Sequence, residues 1–202
     1  MSAEVKQSPS LVLASASAIR RTILLNAGIV FDVCPSRVDE GSLKEDNKSL
    51  NANEMSALLA KEKALQVSSH DDRLILGADQ ILEFQNRQYD KAGTLKEAKV
   101  RLQTLSGKTH DLVGAMVLAQ KGSVVWKHQS RAHMHMRSLS ETAIDAYLRR
   151  AGTGILASVG CYEIEGLGIT LFNRIEGDHF SILGLSILPL LAELRRREIA
   201  SP

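Results

Sequence analysis

Leu11-Val12-Leu13-Ala14-Ser15-Ala16-Ser17-Ala18-Ile19-Arg20-Arg21 passes from an unbroken apolar run through small residues into two arginines, and this order decides the fold. A short continuous apolar run is the pattern of a strand covered on both faces. Ile19, Ile23, Leu24 and Ala27 then follow helical spacing and stop at Gly28, a residue suited to ending a helix. The opening unit is therefore strand, turn, helix. A strand end, small hydroxyls and a helix N-terminus with unpaired N–H groups suit an anion such as phosphate, and guanidinium groups add paired hydrogen bonds. The same residues also suit a structural role, with Ser17 as N-cap and both arginines solvated.

Further along, Phe31 to Pro35 reads as a strand and the polar stretch Ser36 to Leu50 as a surface loop. Asn51 with Glu54 forms a capping-box pattern that opens a helix through Met55, Leu58, Leu59 and Lys63 to about Ser68. Leu74 to Ala78 reads as a covered strand that ends at Gly77-Ala78-Asp79-Gln80 before Ile81 to Phe84 resumes. Thr94 and Glu97 open a second capped helix, closed at Ser106-Gly107. Leu112 to Ala119 and Val124 to Met136, joined by Lys121-Gly122, form an antiparallel hairpin. Ser140 caps a helix ending at Gly152, the glycine-dense stretch Gly154 to Gly184 reads as short strands, and a last helix spans about Ser186 to Arg197 with Pro189 in its first turn. Strands that alternate with helices, with one hairpin among them, give an α/β protein with a mixed sheet flanked by helices. Residues 11–202 are expected to form one domain, and residues 1–10, which lack an apolar signal-like region, a flexible N-terminus.

The chain has 202 residues, 44% hydrophobic, enough for a sizeable core. With 25 basic against 23 acidic side chains and 4% aromatics, a nucleic-acid-binding surface is not expected. The longest apolar run, Ile182 to Leu191, is about half a membrane span and is broken by Gly184, Ser186 and Pro189. Two cysteines, Cys34 and Cys161, make no disulfide framework; a reducing cytoplasm and buried positions for both are expected.

Asp79 stands out because an acid at the end of a buried strand is costly unless paired, hydrogen-bonded or metal-bound, although it also fits a turn cap. Asp39 and Glu40 could join it around a hard divalent cation, or be a solvated loop pair. Lys61, Lys63 and Lys91 are ordinary surface charge by their neighbours, yet with Arg20 they would supply the cations a triphosphate needs. His133 and His135 alternate along a strand and read as a solvent-facing surface, since no third ligand lies at a telling spacing. No Walker A, G-x-G-x-x-G or G-x-S-x-G sequence is present.

Several segments, in order, resemble the Maf proteins, nucleoside triphosphate pyrophosphatases also linked to septum formation. They are Leu13-Ala14-Ser15-Ala16-Ser17 with Arg20-Arg21, Val38-Asp39-Glu40, Glu62-Lys63-Ala64, Gly77-Ala78-Asp79, Lys91, Leu105 to His110, and Ile175-Glu176-Gly177-Asp178. The resemblance implies two lobes around a central cleft, a homodimer, and hydrolysis between the α and β phosphorus atoms with Mg2+ or Mn2+. It implies Asp79 as general base, Glu40 beside it in metal or water positioning, and Ser15, Arg20, Lys63 and Lys91 as phosphate-binding residues. The chain departs from the family pattern at Ile19, where an arginine is common, at Ala92 and at Ser186.

Ile19, Gln80 and the segment Glu163 to Phe172 resemble the branch that acts on 7-methyl-GTP rather than on dTTP and UTP. There Glu165 would accept the guanine N–H groups and favour the positive charge that N7 methylation adds. The resemblance thus implies a metal-dependent nucleoside triphosphate pyrophosphatase, expected in the cytoplasm. A division inhibitor acting through a partner or through nucleotide binding is the alternative.

Overall fold

The computed structural model describes residues 10–200, so the expected flexible N-terminus lies outside the described residues except for Ser10. The chain opens as expected with β1 (Leu11–Leu13), α1 (Ala18–Asn26) and β2 (Phe31–Val33), and Gly28 takes a positive φ of 71° behind the first helix. The expected loop at 36–50 instead contains a helix, α2 (Glu40–Asp46), capped by Asp39, whose carboxylate accepts the Ser42 amide at 3.0 Å. None of its residues is buried, so it carries no apolar period to betray it.

Helix α3 (Ala52–Ser68) has both arms of the Asn51–Glu54 capping box. Strand β3 (Leu74–Phe84) turns through Gln85 and Asn86, both at positive φ, into β4 (Arg87–Tyr89). Helix α4 (Leu95–Leu105) keeps one arm of its expected box: Thr94 accepts the Glu97 amide, while the Glu97 carboxylate takes the Gly93 amide instead. The hairpin β5 (Thr109–Gln120) and β6 (Ser123–Met136) and the capped helix α5 (Glu141–Ala151) follow as read from the sequence. The glycine-dense stretch is mostly not strand. It forms 3-10 helices over Gly152–Ala157 and Leu167–Leu171, then β7 (Phe172–Glu176) and the single turn α6 (His179–Ile182). Helix α7 (Ile187–Arg196) ends the described chain with Pro189 in its first turn.

One mixed seven-stranded sheet orders the strands β2-β1-β3-β5-β6-β7, with β4 also on β3. The strands β2, β1 and β3 are parallel, and the rest pair antiparallel. Alternation along β3 sorts the core by face. Ile75 packs against α3 residues Ala60 and Ala64, and Ile81 against Met55 and Leu59. On the opposite face, Leu74, Leu76 and Ala78 join α1 and α7, while Leu82 and Phe84 join α4 and α5. Two apolar clusters therefore lie side by side on one face, and the polar Gln80 stands between them.

The chain's two cysteines are free: Cys161 is buried as expected, but Cys34, one residue past the end of β2, is exposed. No helix among the described residues is long and apolar enough to cross a membrane.

Candidate active site

Strand β3 has β5 along one whole edge, from Ile75 to Glu83. Its other edge is shared: β1 pairs with Leu74 to Leu76, and β4 pairs with Leu82 to Phe84. Between them β1 has turned away into the Ser15–Ser17 segment and β4 has not begun. Asp79 lies in this gap. The expected strand end at Asp79 is thus corrected: the strand runs unbroken through Asp79 over all eleven residues from Leu74 to Phe84, and what ends there is its partner. A buried acid in mid-strand is tolerated because the sheet opens beside it.

Helix α3 lies close against this strand because Gly77 has no side chain. A Cβ there would stand 2.2 Å from the Ala60 carbonyl oxygen and 2.8 Å from the Ala64 nitrogen. That close approach brings Lys63, one residue before Ala64, to Asp79, with Nζ donating to Oδ1 at 2.7 Å. The same ammonium lies 2.9 Å from Glu40 Oε1, at the first turn of α2. Lys63 and Asp79 are buried, and Glu40 is less so. Burial pushes the Asp79 carboxyl above the ordinary carboxylate range, against the downward pull of Lys63 and Arg20 and with a small upward push from Glu40.

Arg20 ties three pieces of chain together. Its Nε donates to the Gly184 carbonyl at 3.0 Å, and its Nη1 donates to the Ala78 carbonyl at 2.8 Å and to Ser15 Oγ at 3.2 Å. The Ala78 carbonyl is one of the groups that the missing strand leaves unpaired, so the guanidinium completes the sheet edge. Burial lowers the pKa of Arg20, while Asp79 and Glu40 raise it. Ser17 occupies the N-cap position of α1 without a side-chain cap bond; its amide instead donates to Ser15 Oγ at 3.2 Å. Gln80, on the other face from Asp79, donates its amide nitrogen to the Ser181 and Ile182 carbonyls at 2.9 and 3.1 Å.

All eight site residues named from the sequence, Ser15, Arg20, Glu40, Lys63, Asp79, Gln80, Lys91 and Glu165, line one cleft of about 1430 Å3. They differ in what they have left to offer. Lys91 and Glu165 are exposed and form no ion pair among the described residues. Arg20 keeps only Nη2 free of protein partners, and Gln80 keeps its Oε1.

The cleft also holds groups that sequence reasoning missed. Lys44 of α2 pairs with Asp90 beyond β4, and Lys48 pairs with Glu45. Tyr162 lines the opposite wall, its hydroxyl 2.6 Å from Nε2 of the buried His110. Its position in a left-handed kink at Cys161, φ 58°, left no sequence signal. Burial takes the His110 pKa down to about 4, so the ring is neutral at pH 7, and its Nδ1 has no hydrogen-bond partner.

As hard oxygen donors, Glu40 and Asp79 suit a divalent cation of the Mg2+ kind, which binds through one or two carboxylates and takes its remaining ligands from phosphates and water. The Lys63 ammonium rests between the two carboxylates, and among the described residues no group of three or more His, Cys, Asp or Glu side chains gathers into a metal site.

The family described as Maf-like protein matches this chain over residues 10–197. A nucleoside triphosphate pyrophosphatase from Nitrobacter winogradskyi is 45% identical, across 96% of this chain and 96% of that protein. A 7-methyl-GTP pyrophosphatase from Rhizobium meliloti is 44% identical, across 93% of this chain and 96% of that protein. A solved nucleoside-triphosphatase, a dITP/XTP pyrophosphatase from Mycobacterium abscessus, is 12% identical with a TM-score of 0.38, across 94% of this chain and 95% of that one. That structural likeness is too slight to bear on function.

Proposed function

This chain belongs to the Maf family, and from that membership we propose that it is a nucleoside triphosphate pyrophosphatase, releasing pyrophosphate and a nucleoside monophosphate. The observation that carries the proposal is the Asp79–Lys63–Glu40 arrangement in the sheet gap. It gives a carboxylate to take a proton from water, a cation to offset developing negative charge, and a second carboxylate at the cleft surface.

In this reading Asp79 is the general base, and its raised pKa makes it a better proton acceptor than an ordinary aspartate. Lys63 holds the carboxylate in place and keeps it ionised. Glu40 and Asp79 would hold a divalent metal, Mg2+ or Mn2+, which supplies neutralisation of phosphate charge when bound. Lys91, Ser15 and the free Nη2 of Arg20 bind phosphate oxygens, while the rest of Arg20 keeps the cleft wall in register. The nucleobase lies toward Gln80 and Glu165. The exposed Glu165 carboxylate is free to accept guanine N–H groups, and it favours a methylated, positively charged base such as that of 7-methyl-GTP over dTTP and UTP. The same reading takes residues 11–202 as one two-lobed domain, working as a homodimer in the cytoplasm.

The test is a panel of plain and modified nucleoside triphosphates, assayed for pyrophosphate with wild type, Asp79→Asn and Glu165→Gln. Wild type should release pyrophosphate, and Asp79→Asn should lose about 10²–10⁴ in kcat. Near-normal turnover by Asp79→Asn, or release of orthophosphate in place of pyrophosphate, would refute the assignment. An unchanged preference for 7-methyl-GTP over dTTP in Glu165→Gln would refute the base-binding role alone.

A further inference from the structure

Five cations line the cleft: Arg20, Lys44, Lys48, Lys63 and Lys91. Lys63 is committed to two carboxylates, and most of Arg20 to backbone carbonyls and Ser15. Lys48 is held by its own neighbour Glu45 in an exposed pair. Lys44 is different, because its partner comes from across the cleft. Its ammonium meets Asp90, the residue before Lys91.

Glu40 and Lys44 stand one helical turn apart on α2, so both project from the same side of that helix. Glu40 reaches the hydrolytic end at Lys63. Lys44 lies roughly 6 Å further along the helix axis, beside the position of Lys91. That is where a diphosphate extending from the reacting phosphorus would run.

The Lys44–Asp90 pair is built to be exchanged. Its acid is 75% exposed on the side chain, and a pair of that kind adds little to stability. The acid is also pinned from behind, since Arg101 Nη2 donates to the Asp90 carbonyl at 2.9 Å. Helix α2 has no fully buried residue, and the Lys44 side chain keeps 30% of its surface exposed on the cleft, so its ammonium is open to an incoming anion. A pyrophosphate group carries more negative charge than one carboxylate and offers more acceptor oxygens.

We infer that Lys44 is a pyrophosphate-binding residue, masked by Asp90 in the free chain, which exchanges Asp90 for the β- and γ-phosphates as a nucleotide enters. The inference rests on the pyrophosphatase reading above. Asp90 then acts as a competitor that keeps Lys44 over the mouth of the cleft and helps expel the product when it re-forms the pair.

Calorimetric titration separates the outcomes, with inorganic pyrophosphate and GMP as probes in one Mg2+ buffer. The chains are wild type, Lys44→Met, Lys44→Arg and Asp90→Asn, each checked by thermal unfolding. Lys44→Met should weaken pyrophosphate binding about tenfold and leave GMP binding unchanged. Lys44→Arg should stay within about threefold of wild type, and Asp90→Asn should bind pyrophosphate about two- to fivefold more tightly. Wild-type affinity for pyrophosphate in Lys44→Met, or an equal loss for GMP, would overturn the inference. A wild-type chain that released no pyrophosphate from any nucleotide would remove the pyrophosphatase reading and this inference with it. Normal release combined with unchanged pyrophosphate affinity in Lys44→Met would sink this inference alone.

Discussion

Gly77→Ala is a one-methyl change that should disable the site without touching any of its polar groups. The added Cβ would stand 2.2 Å from the Ala60 carbonyl oxygen, and ordinary contact begins at 3.4 Å, so a gap of about 1.2 Å must open. Strand β3 cannot supply it. Its backbone is paired with β5 on one edge, and its other face packs Leu76 and Ala78 against the α1 and α7 cluster. Helix α3 must therefore move away and carry Lys63 with it, which stretches the 2.7 Å contact to Asp79 beyond hydrogen-bonding reach. Overpacking of this kind costs about 1–3 kcal/mol. With a urea m-value near 2 kcal/mol/M, the unfolding midpoint should fall by roughly 0.5–1.5 M. Misplacement by about 1 Å should also lower kcat/KM by roughly a hundredfold. Unfolding can be followed by the single tryptophan, Trp126, and turnover by pyrophosphate release. Ala60→Gly should not rescue the variant, because the obstruction is the carbonyl oxygen and not the Ala60 methyl. A midpoint unchanged from wild type, together with normal turnover, would refute the claim that Gly77 sets the distance between α3 and the base.

Lys63→Met removes the strongest influence holding the Asp79 pKa down, so the acid limb of kcat/KM should move to higher pH; a limb that stays or moves down would contradict the pairing. Because the Asp79 pKa is raised in the fold, its ionised form costs stability above the ordinary carboxylate range. Asp79→Asn should therefore melt higher than wild type at pH 7 and equally below pH about 3, and a lower melting temperature at pH 7 would argue against burial as the dominant cause. His110 is depressed from 6.5 to about 4, so between those values the unfolded chain binds a proton that the folded chain refuses. Stability should fall by about 3 kcal/mol as pH drops through that window. His110→Phe should flatten this slope in urea titrations, and an unchanged slope would place its origin elsewhere.

The elements with local signals were legible in the sequence. The Asn51–Glu54 box marks the start of α3, Lys121-Gly122 marks the hairpin, and the glycines after α1 and α5 mark helix ends. What failed depended on distant partners. Helix α2 has one apolar residue, Leu43, half-buried against the Met55–Leu59 cluster, and so shows no period. The 3-10 turns at Gly152–Ala157 and Leu167–Leu171 have glycine spacing that reads equally well as short strands. Asp79 looked like a strand end because an acid interrupts an apolar run, whereas the interruption lies in the neighbouring strands. The cleft itself was legible only through family resemblance. Nothing in Lys61-Glu62-Lys63 distinguishes the buried lysine from its half-buried neighbour, and the Lys44–Asp90 pair spans 46 residues.

The break in the β3 edge also gives the protein a built-in reporter. In an antiparallel-paired strand, the amides of alternate residues face the same edge, so those of Ala78 and Gln80 face the break, flanked by Leu76 and Leu82, where strands are present. Deuterium should enter those two positions sooner than the amides of the flanking residues, although all four belong to one continuous central strand. A nucleotide seated in the cleft would shield them, so the exchange rates at two backbone sites would report occupancy of the cleft in a chain whose catalytic groups had all been replaced.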